Sequence, residues 1–528
     1  MDNATTQNRH GDVADLLLAK GILTESSLEQ VKQRQKRLRV SCAKAILDLR
    51  LASEEETLKA LAESEHLEFL DLEHYEPTSE LLHTLPVKLV FHYQILPIKV
   101  EDDCLTLAFA EVPSPIELGN LRLILGKRIQ VALAAPSRIQ SVIKRSFGIG
   151  ADTVEQLKSQ SQLPDDGQEI VYDVGRAPDA QLKDGTISRL VDQILAEALK
   201  LRATDVHIEP YHDSIRLRYR IDGVLKRVPV PEQLRRLYGA IVSRLKIMAD
   251  LNISEKRLPH DGRITMQTNG EQFDLRVSVI PTKHGETICL RILGRESLFL
   301  DLTELGMSDE QEKLFSEMVN LPQGLVLVTG PTGSGKTTSL YAALSRANED
   351  GRKIITIEDP VEYQIEGVSQ IQTREPIGLT FASGLRSILR HDPDVVLVGE
   401  IRDHTTAEIA VRAAQTGHLV LSTLHTNDSV GAVTRLLGMG MDSHLIGSSL
   451  AASVAQRLAR RICEHCRSEN EILDADLRQE MAQALSLPVR EIKAWKGEGC
   501  ERCSGHGYRG RIAIYEFFLM NDELAESI

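Results

Sequence analysis

At 528 residues, 42% hydrophobic and 26% charged, the chain has the composition of a soluble globular protein and exceeds what one core usually holds, which predicts roughly three to four domains. No apolar run reaches the ~18 to 20 residues that cross a bilayer, so membrane contact is expected only through a partner or the surface. A net charge of −14 opposes broad nucleic-acid or anionic-lipid binding, and the polar opening MDNATTQNRHGD carries no signal-peptide pattern, which predicts a cytosolic protein.

In chain order, residues 12–31 and 41–60 form a weak repeat offset by 29, each unit reading as two short helices. Leu17 and Leu18 answer Ile46 and Leu47, and Ser53 with Glu56 makes a capping-box pattern at a helix start. From 69 to 150, proline-punctuated β-rich segments such as ILPIKVEDDCLTLAFA predict a small α/β module without a chemical constellation. Residues 151–185, acidic and without periodicity, read as a linker. Leu190, Val191, Ile194, Leu195, Ala198 and Leu199 then recur at helical spacing and open an α+β domain, 186–295. Two hairpins belong to it, one turning at Asp222-Gly223 and one at Asn269-Gly270.

The next domain, 296–460, alternates strand and helix around LVLVTGPTGSGKTTSL at 325–340, so a mainly parallel sheet buried on both faces is expected. Gly330, Gly335, Lys336 and Thr337 match the phosphate-loop pattern G-x-x-x-x-G-K-[ST], and Pro331, Thr332, Gly333, Ser334 and Thr338 complete the expected nucleotide cradle. Backbone N–H groups of such a loop converge on phosphate, the Lys reaches the β- and γ-phosphates and the Thr337 hydroxyl takes magnesium. Glycines let the loop wrap that closely. In this architecture ligands sit at the carboxyl ends of strands, where the other candidates fall. A strand at 353–357 leads to Glu358, Asp359 and Glu362, carboxylates within reach of magnesium and an attacking water, although an acidic turn capped by proline would look similar. A strand at 394–398 leads to Gly399 and Glu400, the first choice for the carboxylate that orients or deprotonates water. TGHLVLSTLHT sets His418 and His425 at the ends of another strand, beside Thr416, Thr423 and Thr426, which fits a γ-phosphate sensor better than metal ligation.

Of seven cysteines, Cys42, Cys104 and Cys289 read as ordinary buried thiols. The other four form two C-x-x-C knuckles, Cys463 with Cys466 and Cys500 with Cys503, whose spacing points to a structural four-thiolate zinc site in an insert at 461–510. Two disulfides are the alternative that a cytosolic compartment disfavours. Residues 511–528 are expected to end the C-terminal domain, cut short.

Taken together, ATDVHIEP at 203–210, the phosphate loop, EDPVE at 358–362, LVGEIRD at 397–403, TGHLVLSTLHT and the four cysteines resemble the secretion ATPase superfamily. They are most similar to its assembly branch, which drives type II secretion (GspE-like) or type IV pilus extension (PilB-like). The resemblance covers roughly 186–520 and implies a RecA-like ATPase domain preceded by a PAS-like one. It implies a homo-hexamer using ATP, magnesium and structural zinc, with Arg263, Arg276 and Arg291 contacting phosphates. The expected partners are an inner-membrane platform protein and a membrane-anchored cytoplasmic partner held by the N-terminal region, which would make the motor peripheral to the inner membrane. Some relatives bind cyclic di-GMP through repeats that open with Arg-Leu-Gly. Here the triplets are Asp12-Val13-Ala14 and Ser41-Cys42-Ala43, which argues against second-messenger binding. His260 stands where many relatives have Gln. Hypotheses of another class are a DNA translocase, opposed by the acidic balance, and a nucleotide-regulated adaptor with little turnover.

Overall fold

A computed structural model describes residues 11–38, 40–73, 75–154, 184–268, 270–293, 302, 304–470 and 474–528. The chain divides into two compact units, one through Ile292 and one from Leu293.

In the first unit the repeat forms four helices, Gly11–Ala19, Glu25–Leu38, Cys42–Asp48 and Glu54–Ser64. Ser53 and Glu56 make the anticipated reciprocal cap. A four-stranded sheet follows, in the order Glu68–Phe69, Arg128–Leu133, Cys104–Phe109, Leu96–Glu101. Helices and sheet share one apolar core that includes Leu17, Ile46, Leu58, Leu105, Leu107 and Val142.

A second core lies in the same unit between a six-stranded sheet and the helices Asp184–Lys200 and Leu234–Met248. Alternation of apolar Ile215, Leu217 and Tyr219 with arginines places the apolar set inward and makes the hairpin with Val224–Val228. The second hairpin pairs His260–Thr268 with Glu271–Thr282 in register. Its turn residue Asn269 lies outside the described residues. The linker reading needs correction at its start. Residues 151–154 are helical, and Val154, 2% exposed, belongs to the second core. The rest of that reading, 155–183, lies outside the described residues.

The second unit is built on a seven-stranded sheet, ordered Ser369–Gln372, Ile354–Glu358, Val395–Val398, Leu419–Leu424, Gly324–Thr329, Leu450–Ile462, Tyr508–Leu519. All neighbours run parallel except the last pair. The strands Gly324–Thr329, Val395–Val398 and Leu419–Leu424 are buried throughout, as continuous apolar runs in a sheet covered on both faces require. Two apolar cores flank this sheet, and the phosphate loop, Glu358, Glu400 and His425 lie at or just past the carboxyl ends of its parallel strands.

Candidate nucleotide site and tetracysteine cluster

The strand Gly324–Thr329 runs into the phosphate loop, and the helix Lys336–Ala347 starts directly after Gly335. Gly330 (φ 140°) and Gly335 (φ 90°) are positions where a side chain is strained. A Cβ on Gly330 would also lie 2.5 Å from the Gln456 carbonyl oxygen and 2.7 Å from Ser334 Oγ. Gln456, 2% exposed on the neighbouring strand Leu450–Ile462, accepts a 2.9 Å hydrogen bond from Ser339 Oγ and so braces the loop from below. Inside the loop, Ser334 Oγ is buried with no hydrogen-bond partner. Pro331, Thr332, Gly333 and Thr337 are exposed and Thr338 half-buried.

Lys336 is 9% exposed, and its ammonium donates to the carbonyls of Gly330 (2.8 Å) and Pro331 (3.0 Å). Burial lowers its pKa from the ordinary lysine value, and the nearby Glu400 carboxylate opposes that shift. Glu400 follows the strand Val395–Val398 and is fixed by its surroundings. Gly399 N–H donates to the Ile357 carbonyl (2.8 Å), and the Gly399 carbonyl accepts from Thr423 Oγ1 (2.8 Å). One Glu400 oxygen takes a 2.5 Å bond from Arg402 Nη2, and the other lies 3.6 Å from His425 Nε2. Glu400 and His425 are therefore paired, and Lys336 lies in the field of the Glu400 carboxylate. His418 is not part of this group, because its Nδ1 meets the Ala413 carbonyl at 3.1 Å at the far end of the same strand.

Glu358 differs from the expected turn residue. It is the last residue of its strand and 4% exposed, because the strand is one residue longer than its apolar run suggests. One oxygen accepts from Tyr341 OH (2.5 Å), the other from Thr356 Oγ1 (2.6 Å) and Gln370 Nε2 (3.2 Å). Glu362, further along the turn, gives its backbone N–H to Tyr341 OH (3.2 Å). The candidate arginines are in the first unit. Arg263 and Arg276 are register partners across a hairpin, and Arg291 Nε donates to Asp205 at 3.0 Å.

Cys463, Cys466, Cys500 and Cys503 place their sulfurs within 4.8 Å of one another. Three of the separations, Cys463 to Cys500, Cys466 to Cys503 and Cys500 to Cys503, are 3.8 Å. That is far from the ~2.05 Å of a disulfide, while four sulfurs at ~2.3 Å from one zinc stand about 3.8 Å apart. Backbone N–H groups of Cys500 (3.1 Å) and Gly507 (3.2 Å) also point at Cys503 Sγ, as they do at ligand thiolates. The donor set fits zinc.

Tyr341, Gln456 and Arg402 are site residues that sequence reading passed over. Two of them have no motif spacing of their own, and the third sits inside one, two residues beyond the carboxylate it holds.

The profile of the Type II/IV secretion system protein family matches residues 180–528, and that of the MshEN domain matches 65–152. The chain is 37% identical to "Type IV pilus assembly ATPase PilB" of Myxococcus xanthus, covering 98% of this chain and 91% of that protein. It is 42% identical to "Type II secretion system protein E" of Pectobacterium carotovorum, covering 85% and 89%. A protein of the same description from Xanthomonas campestris is 38% identical, covering 98% and 90%. With a family model that matches residues 180–528 and relatives matched along nearly their whole length, the chain belongs to the Type II/IV secretion system protein family and is an ATPase of protein secretion or pilus assembly.

Proposed function

We propose that this ATPase works as a homo-hexameric motor of type II secretion that drives pseudopilus assembly at the inner membrane. The observation that carries the catalytic part is the pairing of Glu400 with His425 at the strand ends, in a sheet whose strand Gly324–Thr329 leads into the phosphate loop that holds Lys336. ATP would lie along residues 330–338, with Thr337 on magnesium, which neutralises phosphate charge when bound. Lys336 exchanges its two loop carbonyls for phosphate oxygens. Glu400 orients the attacking water and takes its proton, and His425 at its side senses the γ-phosphate. Glu362 serves the magnesium and water from the acidic turn, while Glu358, buried and fully engaged, acts as a positioning residue. Arg263, Arg276 and Arg291 are proposed phosphate contacts on the family resemblance. The four cysteines hold a structural zinc.

Docking to a membrane-anchored cytoplasmic partner through the N-terminal region, and to an inner-membrane platform protein, is proposed in place of cyclic di-GMP binding. No described helix is long and apolar enough to cross a membrane, so such partners would supply the attachment. Type IV pilus extension is the second reading, supported by 37% identity to the Myxococcus xanthus pilus assembly ATPase. The test is magnesium-dependent ATP turnover of the purified chain beside Lys336→Ala and Glu400→Gln, with hexamer fraction and zinc content measured on the same samples. Turnover is expected to fall at least about a hundredfold in both variants, with Glu400→Gln still binding ATP. Turnover indifferent to Glu400 in hexamers would favour the adaptor. Binding of one or the other system's cytoplasmic partner separates secretion from pilus extension.

A further inference from the structure

We infer that Tyr341 is a positioning residue for catalysis, the post that sets the acidic turn 358–362 relative to the phosphate loop. Tyr341 lies on the helix Lys336–Ala347, which the loop itself starts, and is 4% exposed. Its single hydroxyl is used twice. It donates to Glu358 Oε2 at 2.5 Å and accepts the Glu362 backbone N–H at 3.2 Å. Both ends of the acidic turn are thus pinned to one oxygen, and that oxygen is carried by the helix whose first residues hold the phosphates.

The rest of the pocket keeps this oxygen in place. Thr356 and Gln370 occupy the other Glu358 oxygen, so the carboxylate cannot rotate away from the tyrosine. Gln370 Nε2 also donates to the Tyr363 carbonyl at 2.9 Å, and its Oε1 accepts the Ile365 N–H at 2.8 Å, which holds the chain just past the turn. The Tyr341 ring meets Tyr363 edge-on at 6.1 Å. Burial and the Glu358 carboxylate both push the phenol's pKa upward, so the hydroxyl stays protonated and remains a donor.

A shift of about 1 Å in a reacting group can slow a reaction on the order of a hundredfold without weakening substrate binding. Removing the Tyr341 hydroxyl frees the Glu362 backbone and leaves the phosphate loop intact. The signature is therefore a fall in kcat at constant KM. A residue that only supported the fold would change the fraction of competent protein and neither constant per site.

This inference rests on the assignment of Glu362 to the reaction. The experiment compares the full-length chain with Tyr341→Phe, Glu362→Gln and the double variant, with rates expressed per nucleotide-binding site counted by titration with a fluorescent ATP analogue. Tyr341→Phe is expected to lower kcat about tenfold or more with KM for magnesium-ATP within about twofold. In the Glu362→Gln background the same change should have little further effect, because the group it positions is already disabled. An unchanged kcat per site, a KM that rises in proportion, or full additivity would overturn the inference. If Glu362→Gln alone leaves kcat intact, the assignment beneath the inference is what fails, and the inference falls with it. Should Tyr341→Phe not fold, 3-fluorotyrosine at position 341 keeps ring and hydroxyl while weakening the oxygen as an acceptor. An intermediate loss of kcat at constant KM then supports the role, and an unchanged kcat overturns it.

Discussion

Lys246 has none of its side chain exposed, donates to the Glu255 carbonyl at 2.7 Å and pairs with Glu286, itself 8% exposed. Two charges taken out of water together are close to neutral for stability, whereas removing one strands the other. Lys246→Met is therefore expected to destabilise the second core of the first unit by about 3–5 kcal/mol, and Lys246→Met with Glu286→Leu to recover most of the loss. Hydrogen exchange at the strand Gly285–Leu293 under increasing urea measures both, and a double variant no better than the single one would refute the pairing argument. Nothing in the sequence marked this pair, since residues forty positions apart carry no spacing signal. The same reason hid Gln456 and Tyr341, whose partners come from other elements, whereas Lys336 and Glu400 could be picked out as candidates because phosphate and water chemistry favours their residue types at a strand's end. Glu358 was half legible. Its place in EDPVE was plain, but its burial depends on Tyr341, Thr356 and Gln370 converging from three elements.

Among elements, the tetracysteine insert is poor in buried apolar residues where it is described. Among the described residues between Cys463 and Cys503 the buried hydrophobic ones are the two cysteines themselves, Ala482 and Ile492. Its two-stranded sheet is three residue pairs long, and its helix Ala475–Leu485 exposes Leu477 and Leu485. So little burial cannot offset the ordering of some forty residues, and small units of this kind rely on a metal or a covalent staple. Zinc held by the four thiolates would supply that free energy directly. Chelation, or Cys503→Ser, is expected to release about one zinc per chain and to open the segment between Cys466 and Cys500 to protease while the strand Gly324–Thr329 stays protected. A chain that purifies without zinc yet resists cleavage there would refute the metal's structural role. This element was legible because tetrahedral ligation demands paired thiolates at short spacing, a constraint written in sequence; its weak hairpin and helix follow no such rule.

At the scale of the first unit, the two cores are joined through a short tie that sequence composition disguised. Acidic and small residues dominate 151–185, yet Val154 is sequestered in the second core. Gly148 (φ 79°) passes so close to Pro229 that a Cβ would sit 2.7 Å from its carbonyl, and Ile149 N–H donates to that carbonyl at 3.0 Å. Asp152 lies 3.2 Å from Gln193 Nε2, and Lys144 reaches Glu197 at 2.7 Å. The last contact is exposed and contributes little, but burial of the valine stabilises by about 1.5–3 kcal/mol and is joined by buried backbone pairing. The tie should therefore hold after the chain beyond it is cut. With a protease site engineered between 155 and 183, the cleaved pieces are expected to associate in sedimentation equilibrium at about millimolar concentration, the range that a few kcal/mol supports, and to separate when Ile149 and Val154 are both changed to Asp. Separation of the unmutated pieces would show that residues 148–154 merely lie against the second core, and that the continuous chain, rather than these contacts, keeps the N-terminal helices and sheet beside it.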